Sequence, residues 1–152
     1  MGQILFVCTG NLCRSPMAAG LLRRRLAEEG LADRYQVDSA GVWAVEGRPA
    51  SENAVAVMAE RGIDIRDHIA RTITAYDVHE ADLILVMSRE HKRAILQAWP
   101  QYEWKVYLLS EMVGKQKDVR DPYGGPLEEY RRCADTLEDY IEGGFRRILE
   151  LA

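Results

Sequence analysis

The apolar residues of the chain fall into short runs that alternate with longer amphipathic stretches. The apolar run Ile4–Val7 predicts a buried strand over residues 3–7, and residues 15–29 carry leucines at helical spacing, with Pro16 in the first turn and Gly30 after the end. Residues 35–39 alternate between polar and apolar, which predicts a second strand. Because a right-handed helical crossover joins the two strands, this segment predicts a parallel βαβ unit.

The rest of the chain continues the alternation of strands and helices. Residues 81–87 are apolar on both faces, as central parallel strands usually are. The other predicted elements are helices at residues 51–61, 88–99 and 127–149, the last bent or frayed at Gly143 and Gly144, a strand at 105–109 and a polar loop at 117–126. Residues 63–76 give no clear pattern. This order predicts an open, doubly wound, four-stranded parallel sheet flanked by helices, flavodoxin-like in architecture, with ligands at the carboxyl ends of the strands.

Composition and charge narrow the class of protein. The length of 152 residues, with 47% hydrophobic and 29% charged residues, is typical of one soluble domain, expected to span residues 1–152. The net charge of -4 argues against a general binder of nucleic acid or anionic membranes. No apolar run approaches the roughly 20 residues of a membrane span, and the start lacks the pattern of a targeting segment. We therefore expect a cytoplasmic protein with neither nucleic acid nor a membrane as a partner.

The cysteines predict neither a disulfide framework nor a metal site. Their odd number, at Cys8, Cys13 and Cys133, suits reduced thiols. Only Cys8 and Cys13 are close in sequence, and no histidine stands at ligand-pair spacing with them. Cys133, in the predicted C-terminal helix, is interpreted as a packing residue. No metal is expected.

The turn between the first strand and the first helix carries the clearest chemistry. Backbone N–H groups of such a turn, together with the positive end of the helix dipole, form an anion site. Cys8 stands first in the turn as a candidate nucleophile, and Arg14 can fold back with a planar fork of donors for a phosphate-like group. An isolated cysteine here would be interpreted as packing, but Arg14 and Ser15 change that interpretation. The spacing matches neither a dinucleotide fingerprint nor a Walker loop, so neither NAD nor ATP is expected.

The C-x5-R-S pattern at residues 8–15 resembles the signature of the low-molecular-weight protein tyrosine phosphatases. That family also has an Asp-Pro pair far downstream, which residues 121–123 match as Asp-Pro-Tyr. Further landmarks follow in the family's order at residues 38–41, 68–71 and 83–87. The resemblance thus covers essentially the whole chain. It implies the low-molecular-weight phosphatase fold and a phosphoric monoester hydrolase that acts on phosphotyrosine in proteins without a cofactor.

The resemblance also assigns roles to the site residues. Cys8 would attack phosphorus to form a phosphocysteine, Arg14 would hold the transferring group, and Asp121 would act as general acid and then as base. The phosphate-binding backbone groups would belong to Thr9, Gly10, Asn11, Leu12, Cys13 and Arg14. Because an Asp-Pro pair alone is usually a turn opener, the role of Asp121 depends on the resemblance. The implied partner is a phosphorylated protein, and free phosphate or other oxyanions would inhibit by occupying the loop.

Further residues match supporting positions of the family. Hydrogen bonds that hold the loop are expected from Asn11, Ser15, Ser39 and His68, and contacts that set substrate specificity from Leu12, Trp43 and Tyr123. Cys13 matches a thiol that forms a reversible disulfide with the catalytic cysteine and protects it from overoxidation. Redox-sensitive activity through Cys8 and Cys13 is therefore expected.

Three other functions fit parts of the pattern. A bacterial branch of the same family removes phosphate from arginine and typically has threonine where this chain has Leu12. Thioredoxin-coupled arsenate reductases share the loop but use two further downstream cysteines, a pair that this chain lacks. A silent phosphate-binding module would not need Cys8, Arg14 and Asp121 together. Because Leu12 suits an aromatic ring better than a guanidinium group, phosphotyrosine is the preferred substrate, phosphoarginine the alternative and arsenate reduction a remote one.

Overall fold

The computed structural model describes residues 1–152 and is built around a four-stranded parallel sheet. Its strands are β1 (Gly2–Cys8), β2 (Tyr35–Gly41), β3 (Leu83–Val86) and β4 (Val106–Leu108), in the order β2-β1-β3-β4. The predicted open, doubly wound, flavodoxin-like sheet is confirmed. Since β2 lies on one side of β1 and the later strands lie on the other, the strand order reverses beside β1. Ligands of such sheets bind at this reversal, next to the carboxyl end of the strand, where Cys8 lies.

Helices cover both faces of the sheet. They are α1 (Arg14–Glu28), α2 (Glu52–Glu60), α3 (Ala75–Glu80), α4 (Arg89–Ala98), α5 (Leu127–Gly143) and α6 (Phe145–Leu151), with 3-10 turns at Pro100–Lys105 and Leu109–Val113. The larger core lies between the sheet and α1, α2, α5 and α6, and it receives Ile4 and Phe6 of β1. The smaller core, under α3 and α4, receives Leu5 and Val7. Because alternate residues of β1 enter two different cores, the strand is apolar throughout.

The structure refines two segments of the sequence prediction. The helix predicted over residues 127–149, with a bend or fray at its two glycines, is divided at Gly144 into α5 and α6, and Met112 of the 3-10 turn at Leu109–Val113 lies so close that a Cβ at Gly144 would collide with it. Residues 63–76 are largely a loop that leads into α3, whose first turn is closed by reciprocal hydrogen bonds between Thr74 and Asp77. No helix of the structure is both long and apolar enough to cross a membrane.

Candidate active site

The loop between β1 and α1 is held in shape through Asn11. Asn11 adopts φ of 59°, the left-handed region that a residue with a side chain seldom occupies without support. Its amide nitrogen donates to Ser15 Oγ over 2.7 Å and to Ser39 Oγ over 3.0 Å, and its Oδ1 accepts from the backbone N–H of Arg71 over 3.0 Å. His68 Nε2 lies 2.7 Å from the Asn11 carbonyl. The four residues predicted to support the loop therefore form one network, joined by the unpredicted backbone of Arg71.

The protonation of His68 follows from its partner. The Asn11 carbonyl can only accept, so Nε2 of His68 carries the proton that it shares. Burial lowers the pKa of His68, and this effect exceeds the opposing effect of the hydrogen bond to Asn11. His68 thus acts as a neutral donor that fixes the carbonyl at the turn of the loop.

Cys8 lies at the base of the loop and is 3% exposed. Its sulfur is 2.9 Å from Ser15 Oγ. Since Ser15 Oγ already accepts a hydrogen bond from Asn11, the serine can direct its own proton at the sulfur. The first turn of α1 follows directly, so the sulfur is adjacent to the unpaired N–H groups and positive dipole end of a helix.

Arg14 connects the loop to the polar segment at residues 117–126. It is buried, and its Nη1 donates to the Val119 carbonyl over 2.8 Å. Its Nη2 lies 3.5 Å from Asp121 Oδ2 and 3.5 Å from Thr9 Oγ1. One edge of the guanidinium group is thus anchored to the protein, while the other faces the side chains at the mouth of the loop.

The polar segment that carries Asp121 is held in place by hydrogen bonds on both sides of that residue. Before Asp121, Asp118 accepts the backbone N–H of Arg89 over 3.0 Å, and the N–H of Val119 donates to the Met87 carbonyl over 2.7 Å. After it, the N–H of Tyr123 donates to Asp121 Oδ1 over 3.1 Å. Asp121 is therefore presented on a tethered turn and remains about half exposed, at 48% of its side chain.

These elements enclose one cavity of about 220 Å³. It is lined by Cys8, Thr9, Gly10, Leu12, Cys13, Arg14, Trp43, Val45, Asp121 and Tyr123. Trp43 and Tyr123 stand out from the surface, at 82% and 59% exposure, as two aromatic walls. The predicted nucleophile, cation, acid and specificity residues thus share one cavity, whereas Asn11, Ser15, Ser39 and His68 lie outside its lining.

Backbone hydrogen bonds join the Trp43 segment to the loop. The N–H groups of Val42 and Trp43 donate to the carbonyls of Cys8 and Thr9 over 2.9 and 3.0 Å. This close approach requires glycine at Gly41, because a Cβ there would collide with the loop backbone. The backbone of Trp43 is consequently held in a fixed position beside the loop between β1 and α1.

None of the three cysteines forms a disulfide in the structure. Cys13 Sγ lies 3.1 Å from Ser51 Oγ and 3.5 Å from the Tyr130 hydroxyl, and burial raises the pKa of this thiol. Cys133 is buried in α5 within the larger core, where burial raises its pKa to about 12. Its position agrees with the packing role predicted for it.

Two residues near the site were not predicted from the sequence. Val45 lines the cavity, and buried His91 contacts Thr9 with its Nε2, 2.8 Å from Oγ1. A Ser-x-x-His spacing at the start of α4 indicates a helix cap, but nothing local relates it to a loop some eighty residues earlier.

Comparison with known proteins agrees with this geometry. The family model for low molecular weight phosphotyrosine protein phosphatase matches residues 3–150. A probable low molecular weight protein-tyrosine-phosphatase, EpsP of Ralstonia solanacearum, is 48% identical over 148 residues, 97% of each chain. The protein-arginine-phosphatase of Geobacillus stearothermophilus is 41% identical over 141 residues, 92% of this chain and 91% of that protein.

A solved structure is also closely similar. It is the YwlE arginine phosphatase, a cysteine-to-serine mutant with a phosphorylated active-site serine, at 37% identity and a TM-score of 0.90 over 97% of this chain and 95% of that one. The chain therefore belongs to the low-molecular-weight protein tyrosine phosphatase family, whose enzymes are phosphatases that act on phosphorylated proteins.

Proposed function

We propose that this protein hydrolyses phosphotyrosine in proteins through a phosphocysteine intermediate on Cys8. The observation that carries the proposal is the shared cavity, in which a thiol, a guanidinium group and a carboxyl group meet beneath two aromatic walls. Each group has a distinct task in phosphoryl transfer, and both steps can be written with protein side chains and water alone. A cytoplasmic location and a single domain over residues 1–152 stay predictions.

In the first step the sulfur of Cys8 attacks phosphorus. The loop N–H groups and Arg14 bind the three equatorial oxygens, where negative charge accumulates in the transition state. The bond from phosphorus to the tyrosine oxygen breaks, and its electron pair goes to that oxygen. Asp121 supplies the proton, because an unperturbed phenol has a pKa of about 10 and leaves poorly as a phenolate.

In the second step the phosphocysteine is hydrolysed. Asp121, now a carboxylate, removes a proton from water, and the water oxygen attacks phosphorus. The bond from phosphorus to sulfur breaks, which returns the thiolate and releases inorganic phosphate. The phosphorylated serine in the YwlE mutant structure supports a covalent phosphoenzyme at this position of the fold. Phosphate and other oxyanions are expected to inhibit by occupying the same loop.

Leu12 favours phosphotyrosine over phosphoarginine. Its side chain lies in the lining of the cavity and packs into the larger core, so it presents an apolar surface with no hydrogen-bonding group. An aromatic ring between Trp43 and Tyr123 can use that surface, whereas a guanidinium group would leave donors unpaired there. Phosphoarginine is the second candidate substrate, because relatives named protein-arginine-phosphatase are 41% and 40% identical to this chain.

A substrate panel tests this choice. We expect the wild type to turn over phosphotyrosine peptides at least about tenfold faster, in kcat/KM, than phosphoarginine peptides, the scale expected when one polar group is left unpaired. Leu12→Thr should shift that ratio toward phosphoarginine, and Leu12→Val is the matched control that changes size without adding a hydroxyl. Phosphoserine peptides and arsenate complete the panel. Faster turnover of phosphoarginine by the wild type would reverse the assignment.

Cys13 is proposed to protect Cys8 from irreversible oxidation. Peroxide would convert the Cys8 thiolate to a sulfenic acid, and attack by Cys13 sulfur would form the disulfide with release of water. We expect activity lost to peroxide to return with dithiothreitol in the wild type and to return much less in Cys13→Ser. Cys133→Ala, which changes the third thiol, on α5 and outside the lining of the catalytic cavity, is the control and should behave as the wild type does. Equal recovery in Cys13→Ser and wild type would rule out this protective role.

A further inference from the structure

His91 forms a small polar cluster with Ser88 and Thr9, which connects the start of α4 to the loop between β1 and α1. Ser88 caps the helix, and the cap is reciprocal: the His91 N–H faces Ser88 Oγ at 3.4 Å, and the Ser88 N–H donates to His91 Nδ1 over 3.1 Å. The far nitrogen of the same ring, Nε2, lies 2.8 Å from Thr9 Oγ1. His91 is 2% exposed, so its ring orientation is fixed by its surroundings.

These contacts define where the proton of His91 lies. A backbone N–H can only donate, so Nδ1 is the acceptor and the proton of the neutral ring is on Nε2. Burial, and then the positive charge of Arg14, lower the pKa of His91 to about 4, while Asp118 and Asp121 act in the opposite direction. At neutral pH the ring therefore presents one N–H, and it points at Thr9.

The Thr9 hydroxyl consequently receives hydrogen bonds rather than giving them within the protein. Its oxygen is approached by His91 Nε2 at 2.8 Å and by Arg14 Nη2 at 3.5 Å, and both groups are donors. With its lone pairs occupied, the hydroxyl keeps one proton to donate elsewhere. Thr9 is exposed and lines the catalytic cavity, so the side that remains open to that proton is the cavity itself.

We propose that His91 is a positioning residue that turns the Thr9 hydroxyl into a hydrogen-bond donor to the phosphoryl group of the substrate. The hydroxyl adds a side-chain donor to the backbone N–H groups of the loop. It also holds the Nη2 edge of Arg14 toward the same oxygens. The inference rests on the proposed phosphocysteine site, yet it concerns how tightly that site binds a phosphate oxyanion rather than whether Cys8 attacks.

The first test is the affinity for inorganic phosphate, measured as its inhibition constant with p-nitrophenyl phosphate as substrate. Thr9→Val removes the hydroxyl at nearly constant shape on an exposed residue, and we expect it to weaken phosphate binding about tenfold, the scale of one hydrogen bond to a charged group. Thr9→Ser keeps the hydroxyl and should bind phosphate more tightly than Thr9→Val. Equal inhibition constants for wild type and Thr9→Val would overturn the proposal.

The second test asks whether His91 acts through Thr9. His91→Leu should weaken phosphate binding to a similar extent, and the Thr9→Val and His91→Leu double variant should be no weaker than Thr9→Val alone. His91→Gln can retain the helix cap through its oxygen and present its N–H2 to Thr9, so it should bind phosphate better than His91→Leu. Additive losses in the double variant would contradict a positioning role, because they would mean that the two residues affect phosphate binding independently. Should His91→Leu fail to fold, His91→Phe, which keeps a ring of similar size without nitrogen atoms, takes its place in the comparison, and the Thr9 pair tests the hydroxyl separately.

The pH profile separates positioning from direct proton transfer. His91 faces the charged groups of Arg14, Asp118 and Asp121, but it reaches the cavity only through the Thr9 hydroxyl. His91→Gln should therefore keep both limbs of the wild-type profile of kcat/KM. Loss of a limb would refute the positioning role. Wild-type turnover of phosphotyrosine together with equal phosphate inhibition constants for wild type and Thr9→Val would refute this inference alone, whereas absence of phosphotyrosine turnover would refute the proposed function.

Discussion

Replacement of Cys8 by alanine is expected to lower kcat with phosphotyrosine peptides by about 10⁴-fold or more, the scale seen when an enzymatic nucleophile is removed. The loss follows because the other thiol of the lining, Cys13, contacts Ser51 and Tyr130 and has a pKa raised by burial, so it is poorly suited to replace Cys8 as the nucleophile. The phosphate cradle is separate from the sulfur, since it consists of loop N–H groups and the anchored Arg14. Inorganic phosphate should therefore still bind to Cys8→Ala, as measured by calorimetry.

Cys133→Ala is the matched control for this experiment. Like Cys8→Ala, it removes a cysteine sulfur, but this sulfur belongs to α5 and packs in the larger core. We expect it to keep wild-type kcat, with some loss of thermal stability from the small cavity it creates. Substantial activity in Cys8→Ala would mean that another group is the nucleophile.

Replacement of Asp121 by asparagine is expected to lower kcat/KM for phosphotyrosine peptides by about 10²- to 10⁴-fold, the usual contribution of a general acid. Asparagine can still accept the hydrogen bond from the Tyr123 N–H, so the turn should be preserved. The loss should be smaller for p-nitrophenyl phosphate, because its phenol leaves more readily without a proton. This dependence on the leaving group, measured on the same variant, identifies the proton donor.

Asp118→Asn provides the comparison within the same loop. Asp118 is held by the backbone N–H of Arg89 and lies outside the lining of the catalytic cavity, so its substitution should leave the leaving-group dependence unchanged. If Asp121→Asn slowed both substrates equally, or if Asp118→Asn showed the selective effect instead, the general acid would have to be reassigned.

The central residues of the active site were predictable because they are close together in the sequence. Cys8, Arg14 and Ser15 lie on one strand-turn-helix segment, and the anion-binding property of such a turn is local. The strands were predictable for a similar reason, since burial on both faces leaves continuous apolar runs. Asp121 lies far along the chain, and only the resemblance to a known family connected it with the loop.

The features that the sequence did not reveal depend on contacts between distant segments. The cap that His91 forms with Ser88 is local, but the contact of His91 with Thr9 exists only once β3 pairs with β1 and brings the start of α4 beside the loop. At Gly144 the sequence predicted a bend or fray, but the close approach of a 3-10 turn, which leaves no room for a Cβ, comes from elsewhere in the chain. The irregular segment at residues 63–76 is ordered by its contacts, such as His68 with the loop, rather than by a repeating pattern.

The most direct test of the account is to trap the phosphoenzyme. The protein would be quenched in acid within milliseconds of mixing with p-nitrophenyl phosphate, and the peptide that contains the loop would be analysed by fragmentation mass spectrometry. Asp121→Asn should increase the trapped amount, because the group that activates water is missing in the second step. The account predicts one phosphate on the sulfur of Cys8, formed with the burst of p-nitrophenol and lost by hydrolysis once the substrate is consumed. A burst whose phosphate lies on another residue, or full turnover with unmodified Cys8 at every time point, would contradict it.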